Sequence, residues 1–69
     1  MSYAFLARTY GVPSIKMGDR IFWKPKGWYG RVYREDRRRP KVLRVKFPGD
    51  RKRYVEVDPA EVVWNPEIG

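Results

Sequence analysis

The chain has 69 residues, with 16 Lys and Arg against 8 Asp and Glu, no His and no Cys, for a formal net charge of +8. This composition excludes disulfide staples, a thiol nucleophile, the zinc ligand sets that small domains use in place of a large core, and any histidine-based triad. One small folded domain is expected: with 42% hydrophobic and 16% aromatic residues the chain is too apolar to stay disordered, and too short to hold a second core.

Residues 3–10 follow Ser2, a candidate N-cap, and precede Gly11 and Pro13, punctuation that marks a short helix or ordered arm over residues 1–14. From Ile15 onward the pattern changes to short β-like segments at 19–24, 28–35, 41–47, 53–57 and 62–64. Between them lie 25–27, 36–40, 48–50 and 58–61, each holding Gly, Pro or Asp residues that set turn geometry. Five strands over 15–65, with 66–69 as a tail, predict a small all-β barrel.

Alternation assigns the faces, because successive strand residues point to opposite sides of a sheet. Ile21, Trp23, Trp28, Gly30, Val32, Leu43, Val45, Phe47, Val55 and Val57 form one apolar set, the expected core. The opposite set, Arg20, Phe22, Lys24, Tyr29, Arg31, Tyr33, Arg44, Lys46, Lys52, Tyr54 and Glu56, interleaves bases with rings. Such a mixture suits nucleic acid, with Lys and Arg on phosphates and rings stacked on bases. The competing role for each ring is cross-strand packing that shields the sheet.

Charge is concentrated in one stretch: residues 31–53 hold eleven Lys/Arg and three Asp/Glu, whereas residues 54–69 hold four acids and no base. A basic block beside an acidic end attracts polyanions to one surface. The turn Arg37-Arg38-Arg39-Pro40-Lys41 and the later Arg51-Lys52-Arg53 are expected to contact phosphates, with Phe22, Tyr29 and Tyr33 beside them and Arg31, Arg44 and Lys46 on the same face. Glu35 and Asp36 are expected to pair with Arg34 and Arg37 to Arg39. Ser2, Thr9 and Ser14 have no base to activate them, so nucleophilic catalysis lacks its partner.

The runs Lys16-Met17-Gly18-Asp19-Arg20-Ile21, Gly27-Trp28-Tyr29-Gly30-Arg31-Val32, Val45-Lys46-Phe47-Pro48-Gly49-Asp50 and Val55 through Val63 together resemble an SH3-like barrel of the Tudor/KOW kind. The resemblance covers about fifty residues and implies a five-stranded barrel with a 3₁₀ turn before the last strand. Such barrels serve nucleic-acid binding, methylated-peptide reading and protein docking, so the fold does not choose a function. In Tudor domains an aromatic cage holds a methylated ammonium. Trp28 and Phe47 match two cage positions, Trp23 lies near a third and Asp50 matches a fourth, yet alternation sends the three rings to the core.

Met17-Gly18-Asp19-Arg20-Ile21, Trp28-Tyr29-Gly30 and Val55-Glu56-Val57-Asp58-Pro59 are also similar to the plasmid-borne type II dihydrofolate reductases, tetramers of SH3-like chains. Their cofactor strand reads Val-Gln-Ile-Tyr, where this chain has Val55-Glu56-Val57-Asp58, and their first-strand Lys is matched by Trp23. Two carboxylates oppose an anionic folate and a phosphate-bearing cofactor. The resemblance therefore implies the fold and not the activity.

A non-enzymatic protein without cofactor or metal is expected, binding the nucleic-acid backbone with little sequence specificity and slightly favouring DNA over RNA. The alternative is a docking module for an acidic protein partner, such as a polymerase or a viral or nucleoid assembly component. Phe5, Leu6 and Tyr10 either close the barrel or bury against another copy, leaving monomer and small homo-oligomer both open. No apolar run approaches the roughly 20 residues of a membrane span. The first eight residues lack the order of a secretory signal, and a soluble cytoplasmic protein with no membrane contact is expected.

Overall fold

Where apolar and polar residues alternate, a strand buries one set and wets the other. The computed structural model describes residues 3–66. It places the alternating segments as β1 (Arg20–Trp23), β2 (Trp28–Val32), β3 (Leu43–Lys46), β4 (Val55–Val57) and β5 (Val62–Trp64). A helix, α1 (Ala4–Thr9), precedes them, and a one-turn 3₁₀ helix, Pro59–Glu61, joins β4 to β5. Every pairing is antiparallel, in the order β4-β3-β2-β1-β5. The sheet curls into a half-barrel, a small all-β fold compatible with an SH3-like barrel. No helix among the described residues is long and apolar enough to cross a membrane.

The first four strands are shorter than the segments expected, for local reasons, whereas β5 spans the expected residues. β2 stops at Val32 and β3 starts at Leu43 because the residues between them turn on themselves. Asp36 Oδ1 accepts from the Arg38 N–H at 3.0 Å, and the Asp36 and Arg39 carbonyls accept from Arg39 and Val42. Asp side chains that bond nearby backbone compete with a ladder in this way. β4 likewise starts at Val55, after a bend in which Asp50 Oδ1 accepts from the Lys52 N–H at 2.9 Å. Gly27 and Gly49 hold φ of 66° and 82° in the β1–β2 and β3–β4 turns, a region open to Gly without a Cβ clash.

The inner face is buried largely as alternation requires. Ile21, Val32, Leu43, Val45, Phe47 and Val57 share one cluster with Ile15 and Val62. Trp23 and Val55 are half-buried against it. Burial of side chains this size stabilises by roughly 1.5–3 kcal/mol each. Trp28 departs from the expected core: it is 47% exposed. Its parity is inward, and one side of its ring packs on Phe47 and Trp23 at the edge of the cluster, but it begins β2 beside the turn and its other side stays open.

The N-terminal segment packs on its own chain. Tyr3, Leu6 and Ala7 are buried in the same cluster, whereas Phe5 and Tyr10 stay exposed. The Ser2 cap lies outside the described residues, as do positions 67–69 of the tail. Tyr3 precedes the helix with a left-handed backbone, φ 57°, and its side chain caps nothing. That ring enters the core instead.

Candidate nucleic-acid interface

Pairing register turns the outer-face set into rows that run across the strands. Arg20 lies opposite Arg31, and Arg31 lies opposite Lys46, so β1, β2 and β3 present three cations side by side. Directly opposed like charges destabilise a sheet. No carboxylate among the described residues forms an ion pair with any of the three. Arg31 Nη1 donates to the Gly18 carbonyl at 3.0 Å. Lys46 Nζ donates to the Asp50 and Lys52 carbonyls at 2.7 and 2.6 Å. These bonds orient the cations and leave their charge uncompensated.

The neighbouring row toward the 33–42 loop is the opposite case. Arg44 lies opposite Glu56 in the ladder, but its guanidinium pairs with Asp36 at 3.3 Å and rests 4.3 Å from the Tyr54 ring centroid. Tyr33 stacks on Tyr54, with centroids 5.3 Å apart. Arg39 makes a two-bond contact with Glu56, at 2.6 and 3.1 Å. Asp36 thus takes Arg44 as its side-chain partner, where sequence position suggested Arg34 or Arg37 to Arg39. Of the thirteen residues expected to contact nucleic acid, Arg39 and Arg44 are matched to carboxylates and Tyr33 is stacked on Tyr54, whereas Arg31 and Lys46 are bonded only to neutral carbonyls.

On the other side of the cation row, β5, β1 and β2 place Val63, Phe22 and Tyr29 in register. Phe22 and Tyr29 pack with centroids 4.9 Å apart, and Tyr29 is 50% exposed. Both are expected site residues, and both also shield the sheet. The Arg51-Lys52-Arg53 stretch is exposed and is tied to the sheet by the Lys46 ammonium. Arg37, Arg38 and Lys41 are exposed on the 33–42 loop. Chain direction puts these two clusters at opposite ends of β3.

A cleft of about 420 Å³ opens at the turn end of the sheet, lined by Trp28, Tyr29, Phe47 and the 48–50 turn. Beside it Trp23, Trp28 and Phe47 pack on one another, with centroids 5.4 to 5.9 Å apart. The rings that match cage positions therefore touch, and Trp23 does not line the open space. Trp23 Nε1 is buried with no acceptor among the described residues. Arg20 lies outside the 31–53 charge run and, although alternation puts it on the outer face, is not among the expected contact residues; its register with Arg31 brings it into the cation row. No protein-family model, no curated protein and no solved structure matches the chain.

Proposed function

We propose that this protein is a small non-enzymatic nucleic-acid-binding module that holds the phosphate backbone on the outer face of its sheet. The observation that carries this reading is the contrast between two adjacent rows: one has its arginines matched to carboxylates, the other leaves Arg20, Arg31 and Lys46 without a carboxylate partner among the described residues. A folded chain tolerates opposed like charges at a cost in stability, and a polyanion laid across them removes that cost. Arg51, Lys52 and Arg53, at the turn end of β3, extend the field beyond the row. The Tudor/KOW kind of barrel is the finer fold reading that fits this placement of turns. Backbone contact of this sort carries little sequence information.

The test is a titration of labelled single- and double-stranded DNA and RNA at several salt concentrations, with the wild type and the Arg20→Gln/Arg31→Gln double variant. The wild type is expected to bind with a steep salt dependence. In the variant the slope of log K against log salt falls by about 0.7 to 0.9 for each phosphate contact removed. An identical slope and affinity in the variant would remove the row from the interface. Salt-sensitive binding to an acidic protein, with no binding to any oligonucleotide, would establish the docking-module alternative.

A further inference from the structure

The geometry points to an unpaired nucleobase as the occupant of the Trp28 cleft, and so to single-stranded nucleic acid as the preferred polymer; this rests on the phosphate-binding reading above. An indole that is 47% exposed, although its parity on the strand is inward, presents an apolar surface on the side away from Trp23 and Phe47 that no described residue covers. Tyr29 lines the same cleft and belongs to the outer-face row with Phe22. Tyr29 thus borders both the outer sheet face and the cleft. The volume of about 420 Å³ falls within the roughly 300–1,000 Å³ of small-ligand sites, room enough for one base.

Charge selects the class of occupant. The loop bordering the cleft continues directly into Arg51, Lys52 and Arg53, and its end is fixed by Lys46, a member of the cation row. Asp50, the one charged side chain lining the cleft, accepts from the Lys52 N–H through Oδ1, which fixes its carboxylate beside the cleft without neutralising it, so the positive field comes from the residues that follow. A cationic ligand must cross this positive field, whereas a chain of phosphates carrying flat apolar rings is drawn along it. In a duplex the bases stack on each other inside the helix. Only an unpaired base offers its face to Trp28, and such stacking tolerates any base.

The experiment compares three probes of equal length and charge type by anisotropy: a single-stranded oligothymidylate, its abasic sugar-phosphate analogue, and the corresponding duplex. Wild type, Trp28→Ala and Trp28→Phe are titrated with each, and circular dichroism and thermal unfolding test whether each variant keeps the fold, with Trp28→Phe retaining a ring against Trp23 and Phe47. The base-bearing single strand is expected to bind at least about fivefold more tightly than the abasic strand, with the difference lost in Trp28→Ala and largely restored in Trp28→Phe. Indole fluorescence should be quenched by the first probe only. Equal affinity for base-bearing and abasic strands, with Arg20→Gln/Arg31→Gln still weakening both, would overturn the inference and leave the phosphate reading standing. Absence of binding to all three at low salt would overturn both. Quenching by tetramethylammonium, without quenching by the oligonucleotide, would assign the cleft to a cation instead.

Discussion

The Tyr3 hydroxyl donates to the Tyr33 carbonyl at 2.7 Å and accepts from the Arg44 N–H at 3.3 Å, joining the residue before α1 to β3 and the residue just past β2. Two backbone groups at the end of the β2–β3 ladder thereby find partners on a side chain thirty and forty-one positions away. The ring is fully buried, so the N-terminal segment is part of the fold and not an appendage.

Tyr3→Phe keeps the ring and removes both bonds. Leaving buried backbone groups unpaired costs about 1–3 kcal/mol. Each kcal/mol lowers Tm by roughly 4–8 °C in a domain of this size. Thermal unfolding followed by circular dichroism checks this, and an unchanged Tm would show that water replaces the hydroxyl at no cost.

The same hydroxyl makes stability depend on alkaline pH. Burial raises the Tyr3 phenol above its ordinary value of 10.0, partly offset by the bond from Arg44 and its positive charge. The folded state therefore holds this proton more tightly than the unfolded one. Its contribution is fully present below pH 10, and it is lost as pH rises through the folded value. Tyr3→Phe should consequently lose less stability than the wild type between neutral pH and the region above 10. Urea midpoints across that range measure the difference.

Much of this fold is legible in the sequence because alternation with two-residue period fixes which face each strand residue takes. Ile21, Val45 and Leu43 follow it into the core. Depth is another matter: Trp28 has the parity of a core residue and stands half exposed, since alternation says nothing of how far the packed cluster extends along a strand. The charge run at 31–53 is visible as composition, but its division into matched and unmatched cations is not. Arg44 finds Asp36 across a loop and Arg39 finds Glu56 across the sheet, and both pairings need the fold. The alignment of Arg20, Arg31 and Lys46 similarly needs the register of two ladders.

Gly30 is the place where backbone closeness supports the cleft. A Cβ there would stand 2.6 Å from Val45 Cγ1 and 2.8 Å from Phe47 Cδ1. Both neighbours are buried, so neither swings into solvent to relieve the contact. Gly30→Ala should destabilise by about 1–3 kcal/mol, the usual cost of overpacking. Because Phe47 packs on Trp23 and Trp28, displacement of its ring should also change the near-ultraviolet circular dichroism. Loss of stability with an unaltered aromatic spectrum would mean that Val45 alone gives way.

Glu56 holds the Arg39 guanidinium on the outer face by two bonds, with both side chains well exposed. An exposed pair of this kind contributes about 0–1 kcal/mol to stability. Glu56→Gln therefore lowers Tm by at most about 8 °C while releasing Arg39 and removing a negative charge from the binding face. Affinity for a labelled oligonucleotide should rise, and the salt slope should steepen by up to about 0.9. A weaker complex would indicate that Glu56 positions Arg39 for its contact instead of occupying it.

The uncompensated row sets folding and binding against each other, which gives its sharpest test. Adding salt from about 0.01 M to 0.15 M shortens the Debye length from roughly 30 Å to 8 Å and screens the repulsion among Arg20, Arg31 and Lys46. The free wild-type protein should thus gain thermal stability over that range, while its complex with nucleic acid weakens. Arg20→Gln removes one opposed pair, Arg20 with Arg31, and touches no hydrogen bond made by the Arg31 or Lys46 side chains. Its Tm at low salt should equal or exceed that of the wild type, its gain on adding salt should be smaller, and its oligonucleotide affinity lower. A variant less stable at low salt and equally salt-sensitive would mean that Arg20 serves the sheet through packing of its aliphatic stem, and would take it out of the binding face.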